Sequence, residues 1–151
     1  MNDLRKRAIA GVKAGDVFEV WRTFETSEIA EFTVMSGDNN PVHLNQQFAR
    51  MKGFDDCIHH GLHSASLVTE VGGELGWLAT KMSFQFKKPV YPGDTIHCRV
   101  EIIDLDDRGR ANAVATLRNQ SDELVLESEV SAIIPTQAEW DVVINDAAAQ
   151  P

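Results

Sequence analysis

The stretch from Gly61 to about Leu78, GLHSASLVTEVGGELGWL, constrains this chain more than any other. It reads as a helix, yet Gly61, Ser64, Ala65, Ser66, Gly72, Gly73 and Gly76 are all small. Glycine inside a helix costs up to about 1 kcal/mol relative to alanine, so the pattern makes sense where neighbouring backbone comes close. That predicts a helix wrapped by a sheet.

Most of the remaining sequence has the alternation such a sheet needs. Val17 to Phe24 (VFEVWRTF) is rich in aromatic and β-branched residues. Met82, Phe84 and Phe86 alternate before Pro89, and Ile96, Cys98, Val100 and Ile102 alternate against His97, Arg99 and Glu101. Ala113, Ala115 and Leu117 follow the turn residues Asp106 to Arg110, and Leu124, Leu126, Val130, Ala132 and Ile134 follow the polar turn Gln120 to Glu123. Four strands joined by short turns predict an antiparallel meander, and the first strand makes a five-stranded sheet. The fold class is therefore α+β.

Short helices are expected around one loop. Thr26 or Ser27 can cap a helix through Ile29, Phe32 and Val34 that Gly37 stops, and Asn45 can cap a second through Phe48 and Met51 to Gly53. Between them lies SGDNNPVH, Ser36 to His43. The chain is expected to form a single domain over residues 1–151, with a core at about 16–134 and a tail from 135 to 151 in which Trp140, Val142, Val143 and Ile144 can dock.

Charge and cysteine usage exclude several classes of function. Fourteen Lys and Arg against 23 Asp and Glu leave a net charge of −9, a poor field for a phosphate backbone, so no nucleic-acid partner is expected. Arg5, Lys6 and Arg7 have no apolar run behind them, which predicts neither a secretory signal nor a membrane span. Cys57 and Cys98 fit neither a zinc spacing nor a CxxC pair and read as reduced thiols of a cytoplasmic protein.

The loop carries the chemistry. Asp38, Asn40, Pro41 and His43 form D-x-N-P-x-H, in which a carboxylate and an imidazole five positions apart, with a rigid proline between them, can converge on one water molecule. His43 can hold or release a proton near neutrality, and Asn40 can hold either partner through its amide. The same residues equally suit a turn in which Asp38 and Asn40 bond their own backbone. His60 and Gly61 stand at the start of the central helix, where free N–H groups favour growing negative charge on a carbonyl oxygen, although Gly61 also suits tight packing alone. His59, His60 and His63 with Asp55 and Asp56 invite a metal, but the spacing is loose and HExxH is absent, so none is expected. Flavin, nicotinamide and phosphate-loop motifs are also absent, and no cofactor is expected.

SGDNNPVHLN at Ser36 to Asn45, HHGLHSASL at His59 to Leu67 and FKKPVYPGDTI at Phe86 to Ile96 together resemble the MaoC-like dehydratases, the (R)-specific enoyl-CoA hydratases of the hotdog fold. The resemblance runs over about residues 16–134. It implies a long central helix in a curved antiparallel sheet, and a homodimer or dimer of dimers with an acyl tunnel at the subunit interface. It also implies Asp38 and His43 as the catalytic pair, Gly61 as the backbone oxyanion donor, Ser66 as the active-site serine and Asn40 as the asparagine of the motif. His63 and Ser64 stand where the family usually has apolar residues, which bears on acyl-chain preference.

The reaction so implied is reversible hydration of a trans-2-enoyl thioester of CoA or acyl carrier protein to the (R)-3-hydroxyacyl thioester. His60 and His63 are candidate substrate contacts. Lys87 and Lys88, with Lys81 and Arg99, are candidates to meet the anionic carrier, or simply parts of a solvated sheet face. Two other functions share the fold class: thioester hydrolysis, which would release a thiol, and acyl-thioester binding without turnover.

Overall fold

The computed structural model describes residues 1–149. Its sheet consists of β1 (Val17–Thr23), β2 (Leu78–Phe86), β3 (Thr95–Leu105), β4 (Arg110–Arg118) and β5 (Leu124–Ile133), all paired antiparallel. Alternation selects the inner face: Ile96, Cys98, Val100 and Ile102 of β3 and Ala111, Ala113, Ala115 and Leu117 of β4 are buried, while their neighbours face outward. Three alanines on one strand face keep the concave side shallow. A helix can then lie close against it.

That helix is α5 in a series that begins with α1 (Asp3–Ile9), α2 (Thr26–Ser36), α3 (Pro41–Leu44) and α4 (Gln46–Met51). α5 spans Gly61–Glu74 and buries Ala65, Leu67, Val68 and Val71, which join Phe18, Ile96, Val100 and Leu126 in one core. It ends earlier than its composition suggests, because Leu75 caps it and Gly76 turns left-handed at φ 65°. The small residues also do less than expected of them. A Cβ at Gly73 would meet nothing within 4 Å, and at Gly72 only Trp77, 3.7 Å away. Close approach is real at Gly61 and Gly76, and in both places side chains make it: the ring of Phe86 in one case, Pro135 and Trp140 in the other.

The meander holds for three strands only. The sheet order is β1-β3-β4-β5-β2, so β2 pairs with β5 and not with β3. The connection from Lys87 to Asp94 contains Pro89 and Pro92, which supply no ladder N–H, and it carries the chain across to the other half of the sheet. β1 and β2 are left as the edges.

Local caps follow the sequence with one exception. Asn45 Oδ1 accepts from Phe48 N–H and starts α4, and Gly37 ends α2 in the left-handed region. α2, however, is capped by Glu25, whose N–H donates to the Glu28 carboxylate, and not by Thr26 or Ser27, which lie within its first turn. The loop from Ser36 to His43 includes the start of α3, with Pro41 at its first position. The tail forms α6 (Gln137–Ala149) and docks through buried Trp140, while Val142 and Val143 stay exposed. α1, absent from the sequence reading, packs under Glu74: Arg5 donates to the carbonyls of Gly73 and Glu74.

Candidate active site

Three short segments meet where α2 ends and α5 begins. The Asp38 carboxylate divides its two oxygens: Oδ1 accepts from the Asn40 N–H at 3.2 Å, and Oδ2 stands 3.8 Å from His43 Nε2. The turn and the acid/imidazole pair, read as alternatives in the sequence, are thus present together. Asn40 spends its side-chain oxygen capping α3 through Val42 N–H. Ser36 Oγ accepts from Asp38 N–H and so braces the loop from its other side.

Backbone carbonyls determine the histidine tautomers, because a carbonyl can only accept. His43 Nδ1 donates to the Ile58 carbonyl at 2.8 Å, leaving Nε2 without a proton in the neutral ring and facing Asp38. His60 Nε2 donates to the Asp38 carbonyl at 3.0 Å, and its ring stacks on His43 with centroids 3.8 Å apart. Burial pushes the His43 imidazole below its ordinary value, and His60 adds to that push. The Ile58 carbonyl and Asp38 oppose it without cancelling it. His43 is 8% exposed, whereas the Asp38 side chain is 51% exposed. One partner is fixed and dry, the other reachable from water.

Gly61 is the first residue of α5, following His60 at the N-cap, and among the described residues its N–H meets no acceptor. A Cβ there would come within 2.7 Å of the Phe86 ring, so that only glycine leaves the ring where it is. Asp38, His43, His60 and Gly61 all border one cavity of about 610 Å³, closed elsewhere mainly by Phe32, Phe54, Ile58, Val90 and Leu126.

The other residues singled out in the sequence divide between the cavity and places away from it. Ser64 lines it, but Ser66, one helical position pair further along, does not, and the Ser66 carbonyl accepts from Thr69 Oγ1. His63 lies behind the wall against Phe24, Phe32 and Glu28. Lys87 and Lys88 stand on the rim, each paired with a carboxylate: Lys87 with Glu127 at 3.0 Å, Lys88 with Glu123. Lys81 and Arg99 are not among the lining residues, and Arg99 pairs with Glu101 along β3. Ser36 and Phe86 lie in stretches the sequence marks without giving them a role, and Ile58 belongs to the site with no sequence signal to announce it. A backbone carbonyl carries no motif.

The histidines do not assemble as the metal reading of His59, His60 and His63 would require. Among the described residues, the group with one ligand-type atom each within 4.8 Å of one another is Asp38, His43 and His60. His43 Nδ1 and His60 Nε2 are committed to carbonyls, which leaves His43 Nε2 and His60 Nδ1 bare in the neutral rings.

Comparison with known proteins identifies the family and the fold. Residues 11–124 match the family model described as the MaoC like domain. The chain is 31% identical to a 3-hydroxybutyryl-CoA dehydratase of Methylorubrum extorquens over 80% of this chain and 79% of the relative. It is 30% identical to an (R)-specific enoyl-CoA hydratase of Aeromonas caviae, over 82% and 96% of the two chains. A solved (R)-hydratase from A. caviae superposes with a TM-score of 0.77 at 30% identity, covering 83% of this chain and 98% of that one. The helix in its curved sheet is the hotdog fold of these hydratases, and the chain belongs to the MaoC-like domain family.

Proposed function

We propose that this protein adds water reversibly to trans-2-enoyl thioesters, forming (R)-3-hydroxyacyl thioesters, with Asp38 and His43 as its acid/base pair. The observation that carries this reading is the approach of Asp38 Oδ2 to His43 Nε2 across 3.8 Å beside the amino end of α5. That gap suits a water molecule held by both groups. The bare Nε2 of His43 takes a proton from the water as its oxygen bonds to C3, and the resulting imidazolium returns a proton to C2 on the same face. Asp38 accepts from the second water hydrogen and stabilises the imidazolium. The enolate charge on the thioester oxygen is met by the Gly61 N–H and the helix dipole. Atoms balance, and the pair returns to its starting state.

Relatives named as acting on CoA and on acyl-carrier-protein thioesters support an acyl thioester as the substrate class. The working unit is a homodimer joined along β2. This edge strand leaves Leu78 66% and Phe86 54% exposed, and Phe86 also borders the cavity. A reducing cytoplasm suits the free Cys57 and Cys98.

Incubation with crotonyl-CoA, following enoyl absorbance and free thiol together, tests the reading. Loss of absorbance without thiol supports hydration. Thiol release, or tight binding with no turnover, overturns it.

A further inference from the structure

The groups assigned to hydration come from two segments, the loop that carries Asp38 and His43 and the first turn of α5, and one side chain ties them together. His60, the N-cap of α5, donates from Nε2 to the Asp38 carbonyl at 3.0 Å, and among the described residues no other donor reaches that oxygen. Its ring lies on the His43 imidazole at 3.8 Å with 27° between the planes, and the Phe32 ring sits 5.0 Å away. The His60 carbonyl accepts from Ser64 N–H and so closes the first turn that Gly61 begins.

This ring is more than filler. Donation to a carbonyl fixes the proton on Nε2 in the neutral ring, and Nδ1 is left bare, buried and without a partner among the described residues. An unpaired buried acceptor costs free energy that phenylalanine or leucine in the same place would avoid. Nor is the ring placed to grip a substrate, since it borders the cavity but is only 1% exposed. What the imidazole adds over an apolar side chain is the N–H on the Asp38 backbone.

We infer that His60 is a positioning residue of the acid/base pair. Its Nε2–H holds the backbone from which the Asp38 carboxylate projects, and its face holds the His43 ring where both can share a water molecule. The same residue begins α5, so the pair and the Gly61 N–H are set relative to one point. The inference rests on the hydratase reading of the site. Misplacing a reacting group by about 1 Å costs up to about 10²-fold in rate, so the anchor acts on kcat through Asp38 and His43.

The test compares His60→Gln, whose amide nitrogen takes the place of Nε2, with His60→Asn, whose amide takes the place of Nδ1, and His60→Phe, which keeps a flat ring without a donor. Each is measured for kcat and KM with crotonyl-CoA, for melting temperature, and for hydrogen exchange of peptides covering residues 36–43. His60→Phe and His60→Asn are expected to lose about 10- to 10²-fold in kcat with KM within about twofold, while exchange in that loop speeds up. His60→Gln recovers most of the kcat and the slow exchange, whatever the order of the melting temperatures. In an Asp38→Asn background the kcat loss from His60→Phe shrinks to less than about threefold, because no carboxylate is left to position. In the unaltered protein, nitrogen-15 NMR finds the His60 proton on Nε2. Equal kcat for His60→Gln and His60→Asn, undiminished kcat in His60→Phe, the same loss in both backgrounds, or a proton on Nδ1 overturns the inference. Failure of the unaltered protein to hydrate crotonyl-CoA overturns the hydratase reading instead, and loop exchange then still decides whether His60 anchors Asp38.

Discussion

Asp38 faces His43 with one oxygen and His43 faces Asp38 with one nitrogen, while the second polar atom of each is tied to backbone: Asp38 Oδ1 to the Asn40 N–H, His43 Nδ1 to the Ile58 carbonyl. Each side chain is thereby aimed by its own loop. Neither depends on the other to hold its place. Substitution of one should therefore leave the other oriented.

Asp38→Asn and His43→Ala are each expected to lower kcat by about 10² to 10⁴ while the melting temperature changes little. The Asp38 amide keeps the size of the carboxylate but loses its charge, so a small drop there would remove Asp38 from the reaction. Steady-state kinetics with crotonyl-CoA and a thermal melt on the same preparations decide it.

The pH dependence follows from burial. His43 accepts a proton only while Nε2 is bare, and its folded value lies below the ordinary 6.5. Activity should hold as pH falls through 6.5 and decline only further into acid, with the limb lost in His43→Ala. The buried His59 acts on stability with a definite sign. The unfolded ring binds a proton below pH 6.5, and the folded ring not until about 4. Stability falls between those two values on acidification, and His59→Gln should flatten that fall in urea titrations across the window.

Gly61 can be tested by separating its N–H from its lack of a side chain. Gly61→Ala and Gly61→Pro both push a Cβ toward Phe86, but only proline removes the N–H. Proline is tolerated at the first helical position, and His60 before it is already extended, at φ −59° and ψ 135°. Gly61→Pro is expected to lose about 10² to 10³ in kcat beyond Gly61→Ala. Equal losses would leave the glycine as packing alone.

The rim lysines are partly neutralised by Glu127 and Glu123, so their pull on an anionic carrier is modest. Lys87→Glu with Lys88→Glu should raise KM for a CoA thioester by roughly three- to tenfold at low salt, and less above about 0.5 M, where screening is short-ranged. A KM that stays constant would assign both lysines to the solvated sheet face.

Much of this fold could be read from local pattern. The period-2 runs of β3 and β4 determine their inner faces, the turn residues from Asp106 to Arg110 bring those strands together, and Asn45 and Gly37 end or begin helices by chemistry confined to a few neighbours. The D-x-N-P-x-H loop likewise carries its acid and its imidazole on one short, stiff segment. Long-range partners are different in kind. No residue of β2 encodes that it will pair with β5, since an edge strand satisfies its hydrogen bonds with whichever neighbour the crossing connection delivers. The Ile58 carbonyl that sets the His43 tautomer, the Phe86 ring that makes Gly61 necessary, and the Glu28 charge behind His63 and His59 all come from segments distant in sequence. Hydrogen bonds and burial act over a few ångströms in space, and the chain's path through three dimensions, not spacing along it, determines which groups come within that range.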